Sequence, residues 1–209
     1  MATYAIGDVH GELTLLRHLL SQLSLQPEDR LIFLGDYLDR GEDSVATVLF
    51  LAELGATRPC IFLRGNHDEE WLEWWNGETF TRCPAIPGAR SVWERQHGLI
   101  PHAVGVFLAQ TRYTYENGYA YYAHAGAQPG VPFDQTPREV YVWGCHDFLT
   151  NPASRWGKPV VFGHYELPAP LVTDALIGLD TAAYRTGVLT ALRIEDRQIY
   201  QTTCAIHSP

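Results

Sequence analysis

A chain of 209 residues, 46% hydrophobic and 19% charged, holds enough apolar material for a core, and its length favours one domain spanning 1–209 over two. A formal charge of −9 with no block of Lys or Arg argues against a nucleic-acid backbone or an anionic membrane as partner. No apolar run is long enough to span a bilayer, and the N-terminus lacks the basic and apolar regions of a signal peptide, so a cytoplasmic location is expected.

In chain order, Tyr4-Ala5-Ile6 reads as a strand running into Gly7-Asp8-Val9-His10-Gly11. Leu13, Leu16, Leu19, Leu20 and Leu23 then recur at helical spacing. Residues 31–34 form a buried-strand run ending in Gly35-Asp36, and a helix is predicted over 44–54 with Ser44 as its N-cap. Residues 60–63 form a third strand, ending in Arg64-Gly65-Asn66-His67-Asp68, with a helix from Glu69 to about Asn76. Strand and helix alternate at the length of a βαβ unit, so a largely parallel sheet is expected, with its carboxyl strand ends along one edge.

The second half is less regular. Residues 78–102 mix Pro, Gly, Trp93 and His97 and are expected to form a helical or loop cap. Residues 113–122 carry a hairpin signal at Asn117-Gly118, and the second strand ends in His124-Ala125-Gly126. A helix is predicted over 138–149, and a buried strand over 159–162 ending in Gly163-His164. Strands follow over 177–180, 188–194 and 199–203, the last two as a hairpin at Asp196-Arg197. Antiparallel strands after βαβ units predict a mixed sheet or two packed sheets.

Strand ends thus carry Asp8 with His10, Asp36 with Asp39 and Arg40, Asn66 with His67, then His124 and His164. Mixed oxygen and imidazole donors suit Mn, Fe or Zn rather than calcium. Asp8, His10, Asp36, Asn66, His124 and His164 exceed what one open ion takes from protein, and two ions sharing Asp36 would use them all. Such a pair lowers the pKa of a shared water from 15.7 to about 7. Arg40 and Arg64 lie beside the ligands, and guanidinium forks match phosphate oxygens. Phosphoester hydrolysis by in-line attack is therefore expected. His67 is the candidate general acid, with Asp39 fixing its tautomer.

The blocks GDVHG, GDYLDRG and RGNHD, with His124-Ala125-Gly126, Phe162-Gly163-His164, and Asp180-Thr181 followed by Leu189-Thr190-Ala191-Leu192, resemble the calcineurin-like metallophosphoesterases, and more narrowly the bacterial serine/threonine protein phosphatases. The resemblance covers nearly the whole chain. It implies an α/β (α+β) four-layer sandwich, with two mixed β-sheets flanked by helices. It implies one metal on Asp8, His10 and Asp36 and a second on Asp36, Asn66, His124 and His164. It assigns proton donation to His67 and Asp39 and phosphate contact to Arg40 and Arg64. The implied activity is a two-metal protein phosphatase, with manganese the first choice of ion and a phosphorylated protein or small phosphoester as substrate. A symmetrical dinucleoside tetraphosphate hydrolase, or an inactive phosphate-binding module, is the alternative.

Two stretches depart from the family pattern. Trp143-Gly144-Cys145-His146 places a cysteine where relatives often carry a phosphate-binding arginine, leaving His146 or Arg155 as substitutes. Asp180-Thr181-Ala182 and Thr186-Gly187-Val188 replace a more glycine-rich pattern. Both differences put substrate identity in question rather than the reaction. Trp71, Trp74 and Trp75 read as a packing face, and Asp68 as a residue that orients the Asn66-His67 turn or caps the next helix. His18, His97, His102, His146 and His207 read as surface or packing residues. The cysteines Cys60, Cys83, Cys145 and Cys204 are scattered without a C-x-x-C pair, so no zinc knuckle or disulfide scaffold is indicated, and Cys60 and Cys204 read as plain buried thiols.

Overall fold

The computed structural model describes residues 1–151 and 153–203, so the expectations for Cys204 and His207 lie outside the described residues. The strands are β1 (Thr3–Ile6), β2 (Arg30–Phe33), β3 (Cys60–Phe62), β4 (Thr114–Glu116), β5 (Tyr121–Ala123), β6 (Val160–Phe162), β7 (Leu171–Val172), β8 (Leu176–Gly178), β9 (Val188–Arg193) and β10 (Gln198–Thr203). The helices are α1 (Leu13–Gln22), α2 (Ser44–Thr57), α3 (Asn66–Glu73), α4 (Ala89–Arg95), α5 (His102–Ala109), α6 (Arg138–Trp143) and α7 (Ala183–Thr186).

The strands form two five-stranded mixed sheets, ordered β10-β9-β1-β2-β3 and β4-β5-β6-β8-β7. In the first, β1, β2 and β3 are parallel and the β9–β10 hairpin adds antiparallel to β1. In the second, β5, β6 and β8 are parallel and the edge strands β4 and β7 are antiparallel. Side chains alternate across each strand. Ala5, Ile32, Tyr122, Val161 and Ile177 face the layer between the sheets. Tyr4, Ile6, Leu31 and Phe33 pack outward against α1, α2 and α5, while Val160, Phe162 and Leu176 pack toward α6. The result is the expected four-layer sandwich. No helix among the described residues is long and apolar enough to cross a membrane.

Three boundaries differ from the pattern reading. Asp43, not Ser44, takes the N-cap position of α2; Ser44 is buried, and its Oγ accepts the Asp39 N–H at 3.0 Å. Helix α3 begins at Asn66 rather than Glu69, because the Asp68 carboxylate takes the Gly65 N–H at 2.9 Å and closes the first turn early. Helix α6 stops at Trp143 instead of running to 149, since Gly144 turns the chain at φ 73°. The region 78–102 supplies α4, and α5 follows it, a helix that its short apolar run did not announce.

Candidate metal centre

The parallel strands of both sheets deliver their carboxyl ends to one edge. Asp8 follows β1, Asp36 follows β2, Asn66 follows β3, His124 follows β5 and His164 follows β6. The backbone is strained where these groups converge. His10, Asp36, Asp39, Arg40 and His164 have φ of 44°, 51°, 71°, 65° and 62°. Each left-handed non-glycine residue costs on the order of 1–2 kcal/mol, and such strain collects where function requires a fixed geometry. Two glycines make room for it. A Cβ on Gly65 would lie 2.0 Å from Asp36 Oδ1, and one on Gly163 would lie 2.1 Å from Asp8 Oδ1.

Asp36 Oδ2 lies 3.4 Å from His10 Nε2 and 3.6 Å from His124 Nε2, between the two groups of ligands. Asn66 Oδ1 lies 3.1 Å from His124 Nε2 and 3.0 Å from His164 Nδ1. His10 Nδ1 and His124 Nδ1 donate to the carbonyls of Leu38 and Leu34, both at 2.8 Å. That fixes the tautomers and leaves each Nε2 with a bare lone pair aimed at oxygen. Burial holds His124 below its usual pKa and brings His10 down to about 3; burial, then the neighbouring His124, brings His164 to about 4. Acceptors therefore face acceptors with no proton between them. Asp8 Oδ1 is buried with no hydrogen-bond partner among the described residues. This arrangement fits cations: donors about 2.1 Å from a shared ion stand roughly 3.0–3.4 Å apart. Two groups, Asp8 with Asp36 and His124, and His10 with Asp36 and His67, each bring ligand-type atoms within 4.8 Å of one another.

Asp36 is held ionised: burial alone would raise it, but the combined influence of His124, His67, His10 and His164 keeps it well below its usual range. Asp8 is pushed up by burial and by the nearby charges of Asp180 and Asp36. Asp180 follows β8 just as the ligands follow their strands, and burial raises it to about 6. Its place beside Asp8 was legible only as part of the Asp-Thr motif. Asp68 braces the cluster from beneath, accepting the N–H groups of Asp36, Tyr37 and Gly65 at 2.9, 3.2 and 2.9 Å.

His67 Nδ1 lies 2.7 Å from Asp39 Oδ2, and Trp71 Nε1 donates to Asp39 Oδ1 at 3.0 Å. Trp71 is thus more than the packing residue its spacing suggested. Burial opposes a charged imidazole, yet Asp36 and Asp39 outweigh it and raise the His67 pKa. Burial also raises Asp39, against the pull of its hydrogen bonds from His67 and Trp71. Arg40 Nη2 lies 3.5 Å from His67 Nε2, and Arg40 Nε is buried without a partner among the described residues.

Arg64 stands apart from this group. All five of its N–H donors are engaged: Nε with Thr111 Oγ1, Nη1 with Glu69 and Tyr113, and Nη2 with the carbonyls of Leu108 and Thr111. Its guanidinium also stacks over the Tyr113 ring at 4.8 Å. None is left to clamp a phosphate, and the residue ties β3 to the segment after α5. Arg64→Ala should therefore lower stability by about 3 kcal/mol, as loss of a buried, fully bonded cation does, and Arg64→Lys should restore only part of it. Denaturant midpoints at unchanged slope measure this, and a midpoint within error of the parent would refute the bracing role.

Cys145 donates its N–H to Tyr165 Oη at 3.2 Å and brings no charge to the cluster. Arg155 lines a hollow beside Phe133 and Asp134 instead of reaching the ligands. An apolar groove of about 580 Å³ lies between α2 and α5, away from the cluster.

The calcineurin-like phosphoesterase family matches residues 1–181 of the chain. A symmetrical bis(5'-nucleosyl)-tetraphosphatase of Cellvibrio japonicus is 32% identical over 207 residues, covering 92% of this chain and 68% of that protein. One of Pseudomonas putida is 30% identical over 172 residues, covering 76% of this chain and 58% of that protein. The chain thus spans less than two thirds of the Pseudomonas relative. A crystal structure provisionally named a diadenosine tetraphosphatase covers 98% of this chain and 94% of its own, with a TM-score of 0.79 at 23% identity. These names answer to the tetraphosphatase alternative rather than to the protein phosphatase expected first.

Proposed function

The chain belongs to the calcineurin-like phosphoesterase family, and from that premise we propose that it hydrolyses dinucleoside tetraphosphates, splitting them symmetrically. The observation that carries a hydrolytic reading is the cage of lone pairs around Asp36 Oδ2, with His67 and Arg40 at its rim. The names of the relatives support the tetraphosphate substrate. The inactive-module reading is less favoured, because His67, Asp39 and Arg40 are all present and joined.

Asp8, His10 and Asp36 would hold one ion, and Asp36, Asn66, His124 and His164 the other, with manganese, iron or zinc matching the donors. When bound, two such ions supply Lewis-acid charge at the phosphoryl group and a water acidic enough to attack at neutral pH. The protein's own residues do the rest. Arg40, whose Nη1 now pairs with the exposed carboxylate of Glu166 and whose Nη2 lies beside His67, draws a phosphoryl oxygen toward the cage when it exchanges that partner for substrate. His67, with Nδ1 held protonated by Asp39, carries its transferable proton on Nε2 once Arg40 has turned to the phosphoryl group, and passes it to the leaving oxygen. Trp71 and Ser44 hold Asp39 in place through its carboxylate and its backbone N–H.

The test is product analysis. Manganese-loaded protein should convert diadenosine tetraphosphate to ADP alone and should turn it over faster than a phosphoserine peptide. ATP with AMP would exclude the symmetrical cut, and faster turnover of the peptide would restore the protein phosphatase reading.

A further inference from the structure

The carboxylate of Glu166 is held at the rim of the cage by three donors from two segments, Arg40 after β2 and the neighbours Tyr184 and Arg185 of α7. Its Oε1 accepts from Arg40 Nη1 at 2.6 Å and from Tyr184 Oη at 2.8 Å, and its Oε2 accepts from Arg185 Nη2 at 2.5 Å. Arg40 also lies over the Tyr184 ring at 4.6 Å, and that ring meets His10 edge-on at 5.6 Å. The donors therefore adjoin the metal ligands on one side. On the other side they open to solvent, where the Arg185 side chain is 61% exposed.

We propose that Arg40, Tyr184 and Arg185 form the seat for a second phosphate of a polyphosphate chain, and that Glu166 fills this seat until substrate displaces it. The proposal rests on the phosphoester-hydrolase reading above and names what recognises the rest of the chain.

Three observations carry it. First, two guanidinium groups and a phenol hydroxyl around one planar anion make a site for an anion of the phosphate type. Glu166 gives that site only one negative charge, and surface ion pairs of this exposure are weak, so a polyanion displaces it readily. Second, the segment that carries Tyr184 and Arg185 is fixed to the centre. Ala182 adopts φ 53°, which costs a non-glycine residue energy, and its N–H is held by Asp180 Oδ1 at 2.8 Å. Asp180 is itself buried beside Asp8. Third, Arg64 is fully engaged elsewhere and Cys145 brings no charge, so neither supplies the cation that Arg40 and Arg185 supply here.

The site separates ligands by length. Orthophosphate occupies the cage and reaches Arg40, whereas a chain of phosphates extends onward to Arg185. Calorimetric titration of the manganese-loaded protein, with free manganese held constant, measures this with orthophosphate and inorganic tripolyphosphate as probes. The parent should bind tripolyphosphate at least about tenfold more tightly than orthophosphate. Arg185→Ala should shrink that ratio to about threefold or less, and Arg185→Lys should recover part of it. Glu166→Gln should tighten tripolyphosphate selectively, because the competing charge is gone. An unchanged ratio in Arg185→Ala overturns the proposal. So does equal weakening of both ligands in Glu166→Gln, which would make Glu166 a simple clamp on Arg40. With diadenosine tetraphosphate as substrate, the Arg185→Ala loss should fall on KM more than on kcat. Failure of the hydrolase reading is a separate result, namely no turnover of any phosphoester by the parent, and the binding ratios are read whether or not turnover occurs.

Discussion

Asp36→Asn should lose both ions together and on the order of a thousandfold or more in turnover, about 4 kcal/mol of transition-state stabilisation. Asp36 Oδ2 is the atom both ligand groups share, 3.4 Å from His10 Nε2 and 3.6 Å from His124 Nε2. A neutral amide at this position cannot neutralise two cations. The fold should survive, because the replacement is nearly isosteric and its oxygen can still accept the His67 N–H that Asp36 Oδ1 takes at 3.0 Å. Stability gives a second signature. In the metal-free parent, the Asp36 charge helps to push up Asp8, Asp68 and Asp180. The histidines that hold Asp36 ionised offset that repulsion, so metal-free Asp36→Asn should differ little in stability from the metal-free parent. Manganese at a hundred times its Kd should stabilise the parent by about 2.7 kcal/mol for each ion bound and the variant by almost nothing. Thermal denaturation with and without manganese reads both effects. A variant that gains as much as the parent would remove Asp36 from its bridging position.

His67→Asn should keep its metal and lose activity according to the leaving group. A positioned acid contributes typically 10²–10⁴-fold, and most where the departing oxygen is most basic. The loss should be large for phenyl phosphate, smaller for p-nitrophenyl phosphate, and small for a phosphoanhydride such as diadenosine tetraphosphate. Asp36 and Asp39 raise the His67 pKa, so its acidic form persists to higher pH and is lost as pH rises through that raised value. The parent's kcat on phenyl phosphate should fall on this alkaline limb, and the limb should vanish in His67→Asn. Equal losses across the three substrates would make His67 a structural residue instead.

Much of this arrangement was legible because the ligands sit on a repeated local signal. A strand, a glycine and an oxygen or imidazole donor recur at Asp8, Asp36, Asn66 and His164, and parallel topology carries them to one edge. The signal fails where side-chain direction depends on tertiary contacts. Arg64 adjoins the RGNHD block in sequence, yet its guanidinium turns to Thr111, Glu69 and Tyr113, which lie on segments that no local pattern links to it. Trp71 has the spacing of a packing residue, and only the fold brings its indole N–H to Asp39. Glu166 comes from the irregular segment after β6, and Tyr184 and Arg185 from α7, a single turn after β8 too short for periodicity to show. The substrate was the least legible of all, because protein phosphatases and tetraphosphatases share the blocks that hold the ions and differ in what surrounds them.

The most direct measurement is elemental analysis of the protein after reconstitution with manganese and removal of unbound metal. Asp8, His10, Asp36, Asn66, His124 and His164 should retain about two equivalents per chain. Retention of none, in a protein that is folded by circular dichroism, would contradict the account, since the facing lone pairs around Asp36 would then have no cation to hold them.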